Sequence, residues 1–303
     1  MIRLFDGHCD TAYELWRRGE PLLQNTCHID LKKASAFGAY AQVFAFCSYA
    51  GMSDVDCEAM LTEPLAVLRA QVRENAAKVA FADSRDTIMS TLSAGKAAAL
   101  LSVEGAEVIA CDPNRLFWLR EQGFCMTTLT WNADNPLAGC HASDRGLSEQ
   151  GKDFVRQAQA LDILIDVSHL GERAFWDLVD ITSKPILASH SNARALLDYT
   201  RNLTDDQLRA IADTGGTVGL NLYPPFLGES AGFETLRRHL EHLLRVCGES
   251  HVALGGDLDG CDVLADGFSD VASYPSFYRY LSSNGYSDAL LERIFFTNLL
   301  QLF

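Results

Sequence analysis

The stretch AAALLSVE at residues 97–104 decides the fold class, because six of its eight residues are apolar and its last residue is a glutamate. A short, nearly continuous apolar run of this kind is typical of a strand that is buried on both faces of a parallel sheet. Seven further runs are similar, and they cover residues 2–8, 41–46, 124–130, 163–168, 185–190, 216–222 and 252–257. The sequence therefore predicts eight buried strands.

Amphipathic helical patterns lie between several of these runs, at residues 153–161, 172–180, 205–213 and 233–246. Strands that alternate with helices form right-handed βαβ units. Eight such units predict an α/β fold of the (β/α)8 TIM barrel type, with a doubly wound open sheet as the alternative. We expect a single domain over residues 1–303, in which residues 264–303 form a terminal helical segment on the outside of the barrel.

Charge limits the partners of the chain. Its 303 residues include 40 acidic and 25 basic side chains, which gives a net charge of −15, and no block of Lys or Arg stands out. Such a surface repels phosphate backbones and anionic lipids, so we expect no binding to nucleic acid or to a membrane.

The N-terminus and the cysteines bear on the location of the protein. The first ten residues, MIRLFDGHCD, contain neither the apolar segment nor the small-residue cleavage site of a signal peptide. The nine cysteines are scattered and never spaced CxxC, which favours reduced thiols. Together these features predict a cytoplasmic protein.

Ionisable residues stand at the ends of several predicted strands. In a TIM barrel the carboxyl ends of all strands meet at one mouth, where active sites lie. Side chains two residues apart on a strand point the same way, so His8 and Asp10 at the end of the first run can bind one ion together. Three histidines with two carboxylates suit Zn²⁺, Mn²⁺ or Fe²⁺, and five ligands indicate two ions that share a carboxylate. The residues at these strand ends are His8, Asp10, Glu104, His169, His190 and Asp257.

The remaining histidines are weaker candidates. His239 and His242 lie on an amphipathic helix, where we expect them to be solvated surface residues. His251 opens the eighth run, at the opposite end of the barrel, and His28 is expected in a loop. His141 follows the fourth run on the correct side and stays open as a site residue.

In sequence order, these motifs resemble those of the renal or membrane dipeptidases, which are binuclear zinc metallopeptidases of the amidohydrolase superfamily. The resemblance extends over nearly the whole chain. Its motifs are DGHCDT (6–11), LLSVEGAE (100–107), TTLTWNADN (127–135), ILIDVSHLG (163–171), ILASHSNAR (186–194), the pair Arg201-Asn202 and ALGGDLDG (253–260).

The resemblance implies a role for each metal ligand. His8 and Asp10 would hold one zinc ion, His169 and His190 the other, and Glu104 would bridge the two. A hydroxide between the two ions would attack the peptide bond of a dipeptide, because paired divalent ions lower the pKa of water toward ~7.

The resemblance also implies how the substrate is bound and cleaved. Asp257 would pass a proton to the leaving amine, and Arg201 would bind the terminal carboxylate with its planar fork. The substrates of the family include dipeptides with a C-terminal D residue.

One position departs from the family. Trp131 stands where well-known mammalian members carry a histidine near the scissile carbonyl. Since an indole is a donor only, we expect Trp131 to form an apolar wall of the pocket, with Asn132 or His141 as candidates to contact the carbonyl instead. Tyr223 is expected either in the substrate pocket or as an anchor of its loop. Asp259, two residues after Asp257, is expected either to support the site or to face the metal.

Two other functions compete. The first is a related amidohydrolase that acts on a non-peptide amide or a lactone. Many such enzymes open with HxH and bridge their metal ions with a carboxylated lysine. This chain instead opens with HxD, and its Lys96 and Lys184 lie at the wrong strand ends. The second is a binding or scaffold protein built on a metal-binding barrel that has lost catalysis. Such a protein need not keep Asp257, which is present here. Dimers are common among such enzymes, so a homodimer is the assembly we would test first.

Overall fold

The computed structural model describes residues 1–49, 51–228 and 230–303. Within these residues, nine strands are joined into one sheet, and every pair of neighbouring strands is parallel. The strands are β1 (Arg3–Cys9), β2 (Ala39–Cys47), β3 (Val79–Phe81), β4 (Ala97–Glu104), β5 (Phe124–Thr128), β6 (Leu164–Asp166), β7 (Ile186–Ala188), β8 (Thr217–Leu220) and β9 (Val252–Leu254).

Eight of these strands close into a barrel. β1 pairs with β9, where Asp6 lies opposite Leu254, and β2 pairs with β4, from Ala41 opposite Ala98 to Cys47 opposite Glu104. Each of the eight predicted runs overlaps one strand of this barrel, so the predicted (β/α)8 TIM barrel is confirmed.

One strand was not predicted. β3 has three residues and pairs only with the first part of β4, whereas β5 pairs with β4 from Leu101 onward. Three residues carry too little apolar periodicity to stand out in the sequence.

Helices follow most strands and cover the barrel. The four predicted helical stretches overlap α6 to α9. A capping box begins α8, since the Thr204 hydroxyl accepts from the backbone NH of Gln207. The helices are α1 (Thr11–Arg18), α2 (Leu31–Ala34), α3 (Asp54–Glu74), α4 (Arg85–Ser93), α5 (Leu116–Glu121), α6 (Glu149–Ala160), α7 (Glu172–Val179), α8 (Asp205–Asp213), α9 (Phe233–Cys247), α10 (Tyr274–Ser283), α11 (Asp288–Glu292) and α12 (Asn298–Leu300).

The expectation for the two histidines of α9 was wrong. His239 and His242 are buried, not solvated. His239 lies three residues after Leu236 and four before Leu243, so it belongs to the apolar stripe of the helix. Its Nδ1 accepts from the NH of Ala193 at 3.2 Å, and His242 pairs with Asp205 at 2.6 Å, which gives both rings a polar partner.

The C-terminal helices are fixed to the barrel by aromatic packing and by one buried hydrogen bond. Phe233 of α9 packs against Phe268 and Phe277, with ring centroids 5.5 and 5.3 Å away. Tyr274 is fully buried and its hydroxyl donates to the carboxylate of Asp6 on β1. None of the helices in the three described ranges combines the length and the apolar sequence needed to cross a lipid bilayer.

Close backbone approach shapes the mouth of the barrel around Ser189, the residue after β7. A Cβ atom at Gly219 or at Gly255 would lie only 1.9 or 1.7 Å from the carbonyl oxygen of Ser189. These glycines therefore allow the ends of β7, β8 and β9 to converge, and His190 follows directly on this crowded point.

Gly255→Ala should therefore destabilise the protein by about 1–3 kcal/mol or more, because the methyl group must displace backbone rather than a mobile side chain. Urea unfolding measures the change. Gly232→Ala is the control, since a methyl group there meets no atom closer than 3.4 Å. Equal stability of the two variants would contradict the crowding at Ser189.

Candidate metal centre

The carboxylate of Glu104 lies at the centre of the predicted ligands, at the end of β4. Its Oε1 atom is 2.8 Å from Nε2 of His169 and 3.5 Å from Nε2 of both His8 and His190. The Glu104 residue is only 3% exposed. Three strand ends and the turn after β6 thus deliver one carboxylate and three imidazoles to the same buried point.

His8 and Asp10 complete one side of this cluster. Nε2 of His8 lies 3.5 Å from Oδ2 of Asp10 and 4.0 Å from Oδ1 of Asp257. Both ring nitrogens of His8 are buried and have no hydrogen-bond partner among the described residues. An unpartnered buried imidazole is costly, and a metal ion supplies the partner it needs.

The charges of the cluster favour a cation among its carboxylates. Burial lowers the pKa of His8, but the carboxylates of Glu104, Asp10 and Asp257 outweigh burial and raise that pKa to about 10. Burial raises the pKa of Glu104 to about 8, partly offset by His8. The carboxylates therefore favour a protonated, positively charged His8. A divalent ion bound among them can supply the positive charge in place of that proton.

His169 and His190 present their Nε2 lone pairs to the centre. Nδ1 of His169 lies 2.9 Å from Oδ1 of Asn132, and Nδ1 of His190 lies 2.7 Å from the hydroxyl of Ser189. Burial and nearby positive charge hold the pKa of both rings well below the usual range, so both are neutral at pH 7. Since their Nδ1 atoms face acceptors, both rings are assigned the tautomer that leaves Nε2 free to bind a metal.

A buried carboxylate behind His190 fixes this arrangement. Asp166 at the end of β6 accepts from the backbone NH of Ser189 at 3.0 Å and from the hydroxyl of Ser168 at 2.6 Å. The Ser189 hydroxyl donates to the same carboxylate, so it must accept from Nδ1 of His190. The chain Asp166–Ser189–His190 orients the ring, as carboxylates behind metal-binding histidines commonly do.

A second buried carboxylate, Asp6, joins the two strands that carry the other half of the centre. It accepts from the NH of His8 at 3.0 Å and from the NH of Gly256 at 3.1 Å, next to Asp257. The hydroxyl of Tyr274 is its third donor. Asp6 therefore sets the distance between the ends of β1 and β9.

Asp257 occupies the position predicted for the acid/base group. Its φ of 57° lies in the left-handed region, which Asp tolerates better than most residues and which turns its backbone sharply after β9. Oδ2 accepts from Asn221 at 3.2 Å, while Oδ1 faces His8. Burial raises the pKa of this carboxyl, with the charge of Asp10 adding to the effect, so Asp257 holds a proton more readily than an ordinary aspartate.

Asp259 is tied to the surrounding loops. Its carboxylate accepts from the Thr11 hydroxyl and from the NH of His28, each at 2.6 Å, and Nδ1 of His28 accepts from the NH of Asp259 at 2.9 Å. These contacts match the supporting alternative. His251 instead contacts the carbonyl oxygen of Gly216, just before β8, at the far end of the barrel.

The centre opens into a cavity of about 430 Å³. Arg201 reaches it from the loop before α8, and its Nη2 donates to Nε2 of His190 at 2.8 Å and of His169 at 2.9 Å. Its Nη1 is buried without a partner among the described residues. The guanidinium also lies over the ring of Phe226, 5.3 Å from its centroid.

Aromatic side chains form the walls of this cavity. Trp131 lines it and packs edge-on against Tyr49 with ring centroids 5.4 Å apart. Tyr223 also lines it and packs against Phe226 at 5.0 Å, while its NH donates to Asn221. Tyr223 thus lies in the cavity and also holds its own loop in place through Phe226 and Asn221.

Asn132 and His141, the two candidates to act in place of a histidine at position 131, are placed differently. Asn132 lines the cavity, but its Oδ1 is engaged by His169. His141 pairs with the hydroxyl of Thr200 at 2.7 Å, and burial lowers its pKa to about 4, with the charge of Arg201 adding to the effect. His141 is therefore neutral, and its ring lies 6.5 Å from that of His169.

Comparison with known proteins identifies the family of the chain. The family described as membrane dipeptidase (peptidase family M19) matches residues 1–303. The chain belongs to the membrane dipeptidase family. An uncharacterized dipeptidase of Schizosaccharomyces pombe is 33% identical over 211 residues, which are 67% of this chain and 52% of that protein.

Two further relatives extend the comparison. A Klebsiella pneumoniae protein, described as an uncharacterized protein in the pqqA 5' region, is 42% identical over 163 residues, which are 52% of this chain and 60% of that protein. The matches thus span little more than half the length of these curated relatives. A metallo peptidase from Rhodobacter sphaeroides, liganded with a phosphinate mimic of the dipeptide L-Ala-D-Ala, is 26% identical and superposes with a TM-score of 0.93 over 99% of this chain and 98% of that one.

The groups that support the ligands were not predicted from the sequence. Asp6 and Asp166 each stand within three residues of a site residue, in DGHCDT and IDVSH, and that proximity was the available signal. Cys47 was missed as well, although it directly follows the second run and lies beside Asp10.

Ser189→Ala should weaken the binding of a divalent metal ion by about 10–100-fold, because Nδ1 of His190 loses the acceptor that orients its ring. Competition with a chromophoric chelator measures the affinity. Ser191→Ala is the matched control, since the Ser191 hydroxyl is buried but makes no hydrogen bond within the described residues. Equal metal affinities of the two variants would refute the role of Ser189.

Proposed function

We propose that this chain is a metal-dependent dipeptidase that hydrolyses the peptide bond of dipeptides, including dipeptides with a C-terminal D residue. The observation that carries the proposal is the buried cluster around Glu104, which opens into a cavity lined by the buried Arg201 and the largely buried Asp257. The mimic of L-Ala-D-Ala bound by the Rhodobacter sphaeroides relative supports the class of substrate.

The residues present fit two divalent ions, and we propose zinc as the metal. His8 and Asp10 would hold one ion, His169 and His190 the other, and Glu104 would serve both, since its oxygen lies near all three imidazoles. Imidazole and carboxylate donors suit Zn²⁺. When bound, a pair of such ions lowers the pKa of water and polarises a carbonyl group.

Arg201 would bind the C-terminal carboxylate of the substrate. Its Nη2 donates to the same two Nε2 atoms that metal binding would use. Once these lone pairs are engaged elsewhere, the buried guanidinium needs another acceptor, and Nη1 already has none among the described residues. A carboxylate matches its planar fork with two parallel hydrogen bonds.

Asp257 would manage the proton of the reaction at Oδ1. Asn221 holds Oδ2, so the other oxygen remains directed at His8 and the centre. Because burial raises its pKa, the carboxyl can take up a proton more readily than an ordinary aspartate and donate it to the amine that leaves.

The cavity limits the length of the substrate. Its volume of about 430 Å³ is in the range of sites for small molecules. The aromatic rings of Tyr49, Trp131 and Tyr223 offer apolar surface to the two side chains of a dipeptide. A buried arginine beside the centre selects a free carboxylate close to the scissile bond.

Hydrolysis of a library of L-L and L-D dipeptides, by protein of measured metal content, tests the proposed function. We expect turnover of free dipeptides and a strong loss for their C-terminal amides, because the amide gives Arg201 no carboxylate. Lactones and non-peptide amides complete the panel. Turnover of those compounds without hydrolysis of any dipeptide would assign the chain to another amidohydrolase activity.

Asp257→Asn should keep the metal content of the wild type while kcat falls by about 10²–10⁴, the usual effect of losing an acid/base group. Glu104→Ala should lose metal itself, because both halves of the centre depend on that carboxylate. Elemental analysis alongside kinetics distinguishes the two variants. Full metal and full activity in Glu104→Ala would contradict the shared role of Glu104.

A further inference from the structure

Cys47 ends β2 and lies opposite Glu104 in the β2–β4 register. Its side chain is buried and lines the cavity beside the cluster. Its thiol donates to Oδ1 of Asp10 over 3.9 Å. None of the roles described above involves this cysteine.

The thiol forms a compact donor group with two of the proposed ligands. Sγ of Cys47 and one carboxylate oxygen from each of Asp10 and Glu104 lie within 4.8 Å of one another. Around a tetrahedral ion with bonds of about 2.3 Å to sulfur and about 2.1 Å to oxygen, neighbouring sulfur and oxygen ligands are roughly 3.6 Å apart. The distance of 3.9 Å from Sγ to Asp10 is close to that value.

His8 independently indicates a cation beside the same two carboxylates. Its side chain is 1% exposed, and its two nitrogens have no partners among the described residues. Nε2 of His8 lies 3.5 Å from Asp10 and 3.5 Å from Glu104, the same two carboxylates that surround the thiol. The two carboxylates nearest the thiol are thus also the ones that lie beside the unpartnered His8.

We propose that Cys47 is a thiolate ligand of the metal ion that His8, Asp10 and Glu104 hold. The inference rests on the proposed function for the presence of that ion and adds a sulfur donor to one half of the centre. As the metal–sulfur bond forms, the S–H bond of Cys47 breaks and its proton passes to the solvent. A sulfur donor shifts the preference of this half toward Zn²⁺, Co²⁺ or Cd²⁺ and away from Mn²⁺.

Cys261 provides the matched control. It also lines the cavity and is more exposed than Cys47, but its thiol donates to the backbone oxygen of Asp257 at 3.2 Å. Among the described residues, it belongs to none of the groups of donors that could hold a metal ion. A sulfur–metal signal that depends on Cys261 would therefore show that a thiol merely near the centre can produce it, and would count against Cys47 as the specific ligand.

Cobalt substitution tests the proposal through its spectrum. The full chain, loaded with Co²⁺ to the stoichiometry that elemental analysis gives for the active protein, should show a sulfur-to-cobalt charge-transfer band in the near ultraviolet. The band should persist in Cys261→Ser and vanish in Cys47→Ser. A fully loaded wild type without the band, or a band that survives Cys47→Ser, overturns the proposal.

Two further measurements keep the test decisive if Cys47→Ser does not fold. Zinc-edge X-ray absorption of the wild type and of Cys261→Ser should show a sulfur scatterer at about 2.3 Å in both, and its absence overturns the proposal. Where Cys47→Ser folds, its affinity for Cd²⁺ relative to Mn²⁺ should fall about 10-fold or more, and an unchanged ratio contradicts a ligand role.

The outcomes separate this inference from the proposed function. A protein that binds two ions and hydrolyses dipeptides but shows no sulfur ligand refutes only the role of Cys47. A protein that binds no transition metal at all refutes the metal-dependent dipeptidase itself, and the sulfur ligand fails with it.

Discussion

The concentration of negative charge in a buried place is the constraint on which the rest of this structure depends. Asp10, Glu104 and Asp257 approach one another at the mouth of the barrel, with little solvent to screen them. Moving one charged group from water into a protein costs several kcal/mol. Several ionised carboxylates can therefore be buried together only where positive charge nearby offsets that cost. His8 and Arg201 supply some of it, and the whole arrangement is suited to metal cations.

The barrel sustains this concentration by holding each donor from behind. Asp166 and Ser189 fix the ring of His190, and Asp6 fixes the backbone on either side of the centre. Because these supports are buried and hydrogen-bonded, they oppose any movement of the ligands away from one another. Precise donor positions before binding reduce the entropy that metal and substrate binding must overcome.

Local pattern in the sequence was enough for the barrel, and it singled out the side chains that meet at its mouth. Buried parallel strands are apolar on both faces, so a histidine or glutamate at the end of such a run stands out, as Glu104 does. Long-range contacts leave no such trace. The donation from Arg201 to His169 and His190, the support of Asp6 by Tyr274 and the burial of His239 all depend on which elements pack together. The three residues of β3 were too few to show a period.

The bond between Tyr274 and Asp6 joins residues 268 positions apart in the chain. As the chain folds, the strand that carries His8 gains this support only once α10, which carries Tyr274, has packed against the barrel. Premature capture of metal by a nascent fragment would involve an incomplete and unsupported set of donors. The donors at the mouth of the barrel are therefore fully supported only after the C-terminal helices have packed against it.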